Sequence, residues 1–275
     1  MIKNVLVAYN GGPASHAAVR AAVNMVKKYD AHLTGLLTYS RASIDRNLPS
    51  WFPDTMRAAI AELTDAKALE IRESFMSLVE QSLPADRVHW IDDEGDADNL
   101  VIQRSRLFDV LVLGQYERRP EASEFMLHPD AIAERSERPL LLTPTHYAED
   151  HINDCAVLAW DHGNASAKAA MASIPYLKTK QSVHVVTVRD GRPEKPQTSE
   201  ALRNQLARHG IEARFATLDL LENSISRAIV GFCQEVDAGL LISGAYGHKR
   251  VAENLFGGVT KDLMTHTKIP VLMAH

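Results

Sequence analysis

The chain has 275 residues, which is enough for two domains of about 140 residues, each with its own core. Hydrophobic residues make up 45% and charged residues 24% of the sequence, as in an ordinary globular protein. A net charge of -5 gives no overall positive field, so neither nucleic acid nor an anionic membrane is expected as a partner. No apolar run reaches about 18 residues and the N-terminus lacks a signal-peptide pattern, so we expect a cytoplasmic protein.

The first half alternates short apolar segments with longer segments of helical periodicity. This pattern predicts strands near 3–9, 32–39, 87–91, 109–113 and 140–143, and helices near 14–28, 54–82, 96–106 and 129–135. Strands that alternate with helices indicate parallel βαβ units, because a parallel return needs a crossover of about a dozen residues. We therefore predict a doubly wound, five-stranded parallel sheet of the Rossmann-like type.

The second half repeats the same order of elements. Its predicted strands lie near 155–160, 182–188, 211–217, 239–243 and 270–274, and its helices near 165–174, 199–209, 221–235 and 258–266. The segment VLVAYNGGPASHAAVRAA, from Val5, resembles AVLAWDHGNASAKAAMAS, from Ala156, which aligns Asn10 with Asp161. Such an internal repeat indicates a duplicated domain. We place the domains at residues 1–146 and 152–275, separated by a polar, turn-rich stretch.

Three further features are interpreted as structural. Cys155 and Cys233 are too few for a disulfide framework and lack metal-site spacing, so we expect both to be reduced and buried. Trp51 and Phe52 stand between prolines and are predicted to pack over a neighbouring core rather than to form a lid. The acidic run 92–94 follows a predicted strand and is interpreted as a solvated turn.

A glycine-rich loop follows the fourth predicted strand of the second half. It reads Gly244-x-x-Gly247, nine residues, then Gly257-Gly258-Val259-Thr260, and leads directly into a predicted helix. Glycines let the backbone approach a ligand closely, and a helix N-terminus presents N–H groups that suit phosphate oxygens. His248, Lys249 and Arg250 add possible cationic contacts. Tight turns without a ligand are the alternative explanation.

The spacing of these glycines resembles the signature of the universal stress protein family, and both halves look like complete domains of that family. Gly258 stands where the family has Ser or Thr, so one hydroxyl is missing while the amide remains. The resemblance implies that Asp161 and Val188 contact the adenine end of ATP and that Gly244 lies by the ribose. The resemblance also implies that Gly247, Gly257, Gly258 and Val259 line the triphosphate. The predicted site includes His248 and Thr260 as well. The alternative for Asp161 is an ordinary carboxylate at a helix N-terminus.

The first half departs from this pattern. Asn10 replaces the aspartate, Glu117 replaces the second glycine, and Leu127 and His128 replace the Gly-Gly pair, while Gly114 is retained. A carboxylate repels a triphosphate and a leucine side chain fills its space. We predict that this half does not bind ATP and that it pairs with the second half as a pseudo-dimer.

We therefore expect an ATP-binding or sensing protein of the stress response with an unidentified protein partner. Mg2+ on the nucleotide and a homodimer of tandem chains are both open. A slow ATPase or nucleotidyl-transfer activity using Asp161, His248 or Lys249 also stays open, as does a scaffold in which Gly258 has abolished binding. No metal-binding, nucleophilic-serine or Walker-type motif is present in the sequence, so no catalytic residue is assigned.

Overall fold

A computed structural model describes residues 1–40, 51–116, 125–147, 154–189, 191, 196–222, 224–246 and 258–275. In the first half the strands are β1 (Asn4–Ala8), β2 (His32–Tyr39), β3 (Val88–Glu94), β4 (Val110–Gly114) and β5 (Leu140–Thr143). The helices are α1 (Pro13–Tyr29), α2 (Asp54–Val79), α3 (Ala97–Ser105) and α4 (Pro129–Arg135).

The second half repeats this order. Its strands are β6 (Cys155–Ala159), β7 (Ser182–Arg189), β8 (Ala213–Asp219), β9 (Leu240–Gly244) and β10 (Val271–Ala274). Its helices are α5 (Asn164–Leu177), α6 (Pro196–Arg208), α7 (Ile225–Glu235) and α8 (Gly258–His266). The predicted fold class of two doubly wound α/β halves in tandem is confirmed.

The two halves share one sheet. The strand order is β3-β2-β1-β4-β5-β10-β9-β6-β7-β8, and the strands are parallel within each half. At the centre β5 and β10 pair antiparallel, with Leu141 opposite Leu272. Apolar side chains on each face of the sheet form a cluster that runs through both halves. The halves are therefore joined by backbone hydrogen bonds and by a common core, which is the arrangement of a pseudo-dimer.

Side chains add further contacts between the halves. Tyr29 at the end of α1 packs edge-on against Tyr176 of α5, with the ring centroids 5.9 Å apart. Gln115 Nε2, just after β4, donates to the carbonyl oxygen of Thr267 at 2.9 Å. These side-chain contacts add to the backbone pairing of β5 with β10 in joining the two halves.

Several predicted element boundaries differ from the observed ones by three or four residues, and three of these differences have a clear physical reason. Strand β3 continues past residue 91, and Asp92 pairs with Leu37 in register, so the acidic run lies in an edge strand instead of a turn. An edge strand tolerates charge because one of its sides faces solvent. Helix α5 continues through Pro175, since the N–H of Lys178 bonds to the carbonyl of Ile174 and preserves the last turn. Helix α7 begins at Ile225 instead of residue 221.

The start of α7 is set by its N-cap. Ser224 Oγ accepts a hydrogen bond from the N–H of Arg227 at 3.3 Å, which satisfies one of the unpaired donors of the first helical turn. Residues 221 and 224 form an isolated bridge before the helix. The apolar spacing of this segment predicts a helix from residue 221, which includes the bridge. Hydrophobic periodicity carries no information about the N-cap residue that starts the helix.

The prediction that Trp51 packs over the core is wrong. Its side chain is 77% exposed, and its ring contacts Phe52 at a centroid distance of 6.3 Å. Both residues precede α2, whose buried residues begin only at Thr64. The first turns of α2 therefore offer no core against which Trp51 could pack.

None of the helices in the described part of the chain combines the length and the apolar character that a membrane span requires.

Both cysteines are free and buried, as predicted. Burial, followed by the neighbouring Cys155, raises the pKa of the Cys233 thiol from 9.0 to about 12. Because the thiolate is the reactive form, we expect Cys233 to resist iodoacetamide at about pH 8 in the native protein and to react fully in urea. Mass spectrometry of the alkylated peptides measures this. Rapid alkylation of the native protein at Cys233 would contradict the buried position.

Candidate functional site

The candidate site lies where the winding of the second half reverses. Strands β6 and β9 are neighbours in the sheet, and the chain leaves β6 for α5 on one face and β9 for α8 on the other. In open α/β sheets a crevice forms at this point, outside the carboxyl ends of the strands. The described residues of the predicted site, from Asp161 to Thr260, all lie at this edge of the sheet.

Asp161 follows β6 and organises the start of α5. Its Oδ1 accepts hydrogen bonds from the backbone N–H of Gly163 at 2.8 Å and from Ser166 Oγ at 2.5 Å. Asn10 does the same in the first half, where its Oδ1 accepts from the N–H of Gly12 at 3.1 Å. Stabilising the helix start therefore explains a side-chain oxygen at this position in both halves. A negative charge at this position is specific to the second half.

Gly244 ends β9 beside the backbone of α5. A Cβ at this position would lie 2.6 Å from Ser166 N and 2.7 Å from Ala165 C. Gly114 in the first half is just as close to α1, since a Cβ there would lie 2.5 Å from Ala14 O and 2.7 Å from Ala14 Cβ. The first glycine of the loop is thus required for packing a helix against a strand in both halves, whether or not a ligand is bound.

Helix α8 begins at Gly258. Apart from the chain neighbours of Gly258 and the backbone of α8 itself, no atom of the described residues lies within 4 Å of the position that a Gly258 Cβ would take. Val259 and Thr260 follow in the first turn, and Thr260 Oγ1 accepts from the backbone N–H of Tyr246 at 3.3 Å, which ties α8 to the end of β9. The start of this helix has room for an anion, and its dipole favours one.

Val188 lies in β7, the strand next to β6, near the carboxyl end of that strand. It is partly buried and packs against the apolar cluster on the α7 and α8 face. The site thus extends from the start of α8, past Asp161, to the end of β7. Gly247, His248 and Gly257 lie outside the described residues, and so do Lys249 and Arg250.

At the corresponding edge of the first half, the described residues enclose two small cavities. One lies between β1, β4 and α1, has a volume of about 30 Å³ and is lined by Asn10, Met126 and Leu127. The other has a volume of about 50 Å³ and is lined by Gly11 and Phe125, so each cavity has room for only about one or two water molecules. Phe125 is fully buried beside it and accepts a hydrogen bond from Asn10 Nδ2 at 3.3 Å. Glu117 lies outside the described residues, so its predicted effect stays a prediction.

A carboxylate of the protein occupies the start of α4, the counterpart of α8. Asp98 Oδ1 accepts from the backbone N–H of His128 at 3.0 Å, and Asp98 Oδ2 lies 2.9 Å from His128 Nδ1. Asp98 stands two residues after the N-cap of α3, and Ser226 stands two residues after the N-cap of α7. Ser226 Oγ donates instead to Asp262 Oδ2 at 2.9 Å, within α8. The carboxylate that α3 supplies to the start of α4 is therefore replaced by a hydroxyl in the second half.

Sequence reasoning missed Asp98 and also His162. The Asp98 contact joins residues 30 positions apart, so local spacing could not reveal it. His162 directly follows Asp161 and has a φ of 65°. The aligned residue of the first half is Gly11, with a φ of 76°. The sequence signal that could have revealed His162 is the replacement of a glycine by a histidine between the aligned repeats.

In the part of the chain that the structure describes, no cluster of three or more His, Cys, Asp or Glu side chains could hold a metal ion.

Comparisons with known proteins agree with this architecture. The model of the family described as "Universal stress protein family" matches residues 1–144 and 157–275. Universal stress protein Slr1230 of Synechocystis sp. is 29% identical over 178 residues, which is 60% of this chain and 57% of that relative. The match thus spans less than two thirds of the length of that relative.

Two solved structures share the fold over nearly the whole chain. A universal stress protein from Archaeoglobus fulgidus DSM 4304 superposes with a TM-score of 0.73 at 15% identity, covering 98% of this chain and 97% of its own. A functionally unknown protein from Pseudomonas aeruginosa PAO1 has a TM-score of 0.57 at 16% identity, covering 99% of this chain and 92% of its own. At these identities the likeness concerns the fold alone.

Proposed function

Because the chain belongs to the universal stress protein family, we propose that its second half binds an adenine nucleotide, with ATP as the ligand, and that occupancy is sensed by a protein partner. In this proposal a domain over residues 152–275 carries the site. A domain over residues 1–146 serves as its permanently attached structural partner.

The observation that carries the proposal is the difference between the two helix starts. None of the described residues fills the space at Gly258 at the start of α8, whereas the start of α4 holds the Asp98 carboxylate. An anionic ligand is therefore favoured at the second position and opposed at the first. This difference between the repeats supports a phosphate site in the second half and not in the first.

The residues at this edge suit the separate parts of ATP. The N–H groups at the start of α8, from Gly258 to Thr260, would receive the phosphates. Asp161 would accept from the base, since a carboxylate can accept from the amino group of adenine. Mg2+ would neutralise part of the triphosphate charge and would be held by the phosphates, in keeping with the lack of an acidic cluster among the described residues.

Substitutions at Gly258 test the proposal in both directions. Gly258→Ser restores the hydroxyl of the family signature in a place with room for it, and we expect ATP affinity to rise about fivefold, the value of one added hydrogen bond. Gly258→His copies His128 of the first half, and we expect ATP affinity to fall at least about tenfold, because the ring fills space that a phosphate would need. Calorimetric titration with ATP and Mg2+ measures both affinities.

The thermal midpoint without ligand serves as the control, because neither new side chain would meet a neighbouring element among the described residues and we expect neither to unfold the protein. ATP should raise the midpoint of the wild type in a concentration-dependent manner, since a ligand that binds the folded state stabilises it. If millimolar ATP neither shifts the midpoint nor produces heat, the proposed function is wrong.

A further inference from the structure

His162 occupies a backbone conformation that glycine adopts more easily. Its φ of 65° lies in the left-handed region, and the aligned Gly11 satisfies the same turn in the first half with a φ of 76°. A side chain in this region brings its Cβ close to the following carbonyl, which glycine avoids. The turn between β6 and α5 therefore requires only the backbone conformation. The imidazole is therefore not required for the turn, and non-glycine residues in strained conformations cluster at ligand sites.

The imidazole is held in a defined position. His162 Nδ1 lies 2.6 Å from Thr198 Oγ1, and Thr198 belongs to the first turn of α6. On its other side the ring meets Trp160 edge-on, with the centroids 5.7 Å apart and the planes at 70°. The ring is partly buried and thus bridges the turn after β6 and the start of α6.

This position lies at the end of the candidate site away from α8. The local strand order is β9-β6-β7, with α8 following β9 and α6 following β7. His162 therefore lies on the β7 side of Asp161, whereas Gly258 lies on the β9 side. A nucleotide whose phosphates reach α8 would place its base toward β7 and α6.

We propose that His162 contacts the base of the nucleotide and makes the site selective for purines, with Thr198 as the residue that positions the ring. This inference rests on the proposed nucleotide function. An imidazole stacks on a base through ring-to-ring contact, and a two-ring purine offers more contact area than a pyrimidine. Because His162 would contact only the base, it should contribute to the binding of ATP. It should not contribute to the binding of a phosphate chain that carries no base.

The test compares three ligands, ATP, CTP and inorganic tripolyphosphate, by calorimetric titration of the full chain. The wild type should bind ATP more tightly than CTP. His162→Gly keeps the left-handed turn, as Gly11 shows, and should weaken ATP about tenfold, from the usual contribution of one stacked base, while leaving tripolyphosphate unchanged. Asp237→Gly is the matched control. Asp237 also has a left-handed φ, 50°, but lies before β9, at the other edge of the sheet, so its ATP affinity should equal that of the wild type.

Variants of Thr198 separate a positioning role from a purely structural one. Thr198→Val removes the hydroxyl that holds His162 and should lower the preference for ATP over CTP, whereas Thr198→Ser keeps the hydroxyl and should restore it. Equal ATP affinity in the wild type and His162→Gly, both folded by their thermal midpoints, would overturn this inference alone. Absence of ATP binding by the wild type would overturn the proposed function and this inference with it.

Discussion

Replacing Gly244 by alanine is expected to destabilise the protein by about 3 kcal/mol, the upper end of the usual cost of overpacking a core. The new Cβ would stand 2.6 Å from Ser166 N and 2.9 Å from Ala165 Cβ, so the whole start of α5 would have to move. A clash with the backbone of a packed helix cannot be relieved by a change of rotamer, as a clash with a flexible side chain can. Urea unfolding followed by circular dichroism measures the change in the free energy of unfolding.

Two controls distinguish this packing role from a role in binding. Gly114→Ala should cost as much, because the same Cβ would stand 2.5 Å from Ala14 O in a half where no nucleotide is expected. Gly258→Ala meets nothing within 4 Å among the described residues and should change the unfolding free energy by less than about 0.5 kcal/mol. Wild-type stability in Gly244→Ala would show that α5 does not lie so close to β9.

Replacing Asp161 by alanine is expected to weaken ATP binding at least about tenfold, because the proposed hydrogen bond from the base to this charged acceptor would be lost. The same change should lower the unfolding free energy by about 1 kcal/mol, since the N–H of Gly163 loses its partner at the start of α5. Calorimetric titration with ATP and urea unfolding measure the two effects independently.

Asn10→Ala provides the matched control for Asp161→Ala. Asn10 Oδ1 stabilises the start of α1 through Gly12, so its loss should cost a similar unfolding free energy while leaving ATP affinity unchanged. Asp161→Asn retains the accepting oxygen and removes the charge. Should Asp161→Ala and Asn10→Ala affect ATP binding equally, the assignment of the site to the second half would be wrong.

Much of the fold could be predicted from local sequence patterns. Alternating strands and helices indicated the topology of each half, and the match between the segments from Val5 and Ala156 revealed the duplication. Helix caps and strand-pairing partners are harder to predict from the sequence. A cap depends on a single side chain, and a pairing partner is a strand that is distant in the sequence. The antiparallel pairing of Leu141 with Leu272 is one example. Nothing in the local sequence of the last apolar strand of either half indicates which strand it pairs with.

The sequence could place the described residues of the candidate site at one edge of the sheet, but their role in binding a nucleotide stays a prediction. The resemblance to relatives placed Gly244 by the ribose, whereas the contact with Ser166 shows a packing requirement that Gly114 shares. Asp98 escaped prediction because its partner His128 is remote in sequence and close only through the crossing of α3 and α4. The spacing of glycines indicates where the backbone closely approaches another group. Only the structure shows whether that group is a packed helix, as at Gly244, or a space for a ligand.

The central β5–β10 pair also constrains the order in which the protein can assemble during synthesis. Strand β10 is the last of the described strands to leave the ribosome, yet it occupies the middle of the sheet. Until then the nascent first half exposes the unpaired backbone of Leu140–Thr143, an edge on which other polypeptides can add strands. Pairing with β10 covers this edge, so the second half closes it to strand addition whether or not a ligand is bound.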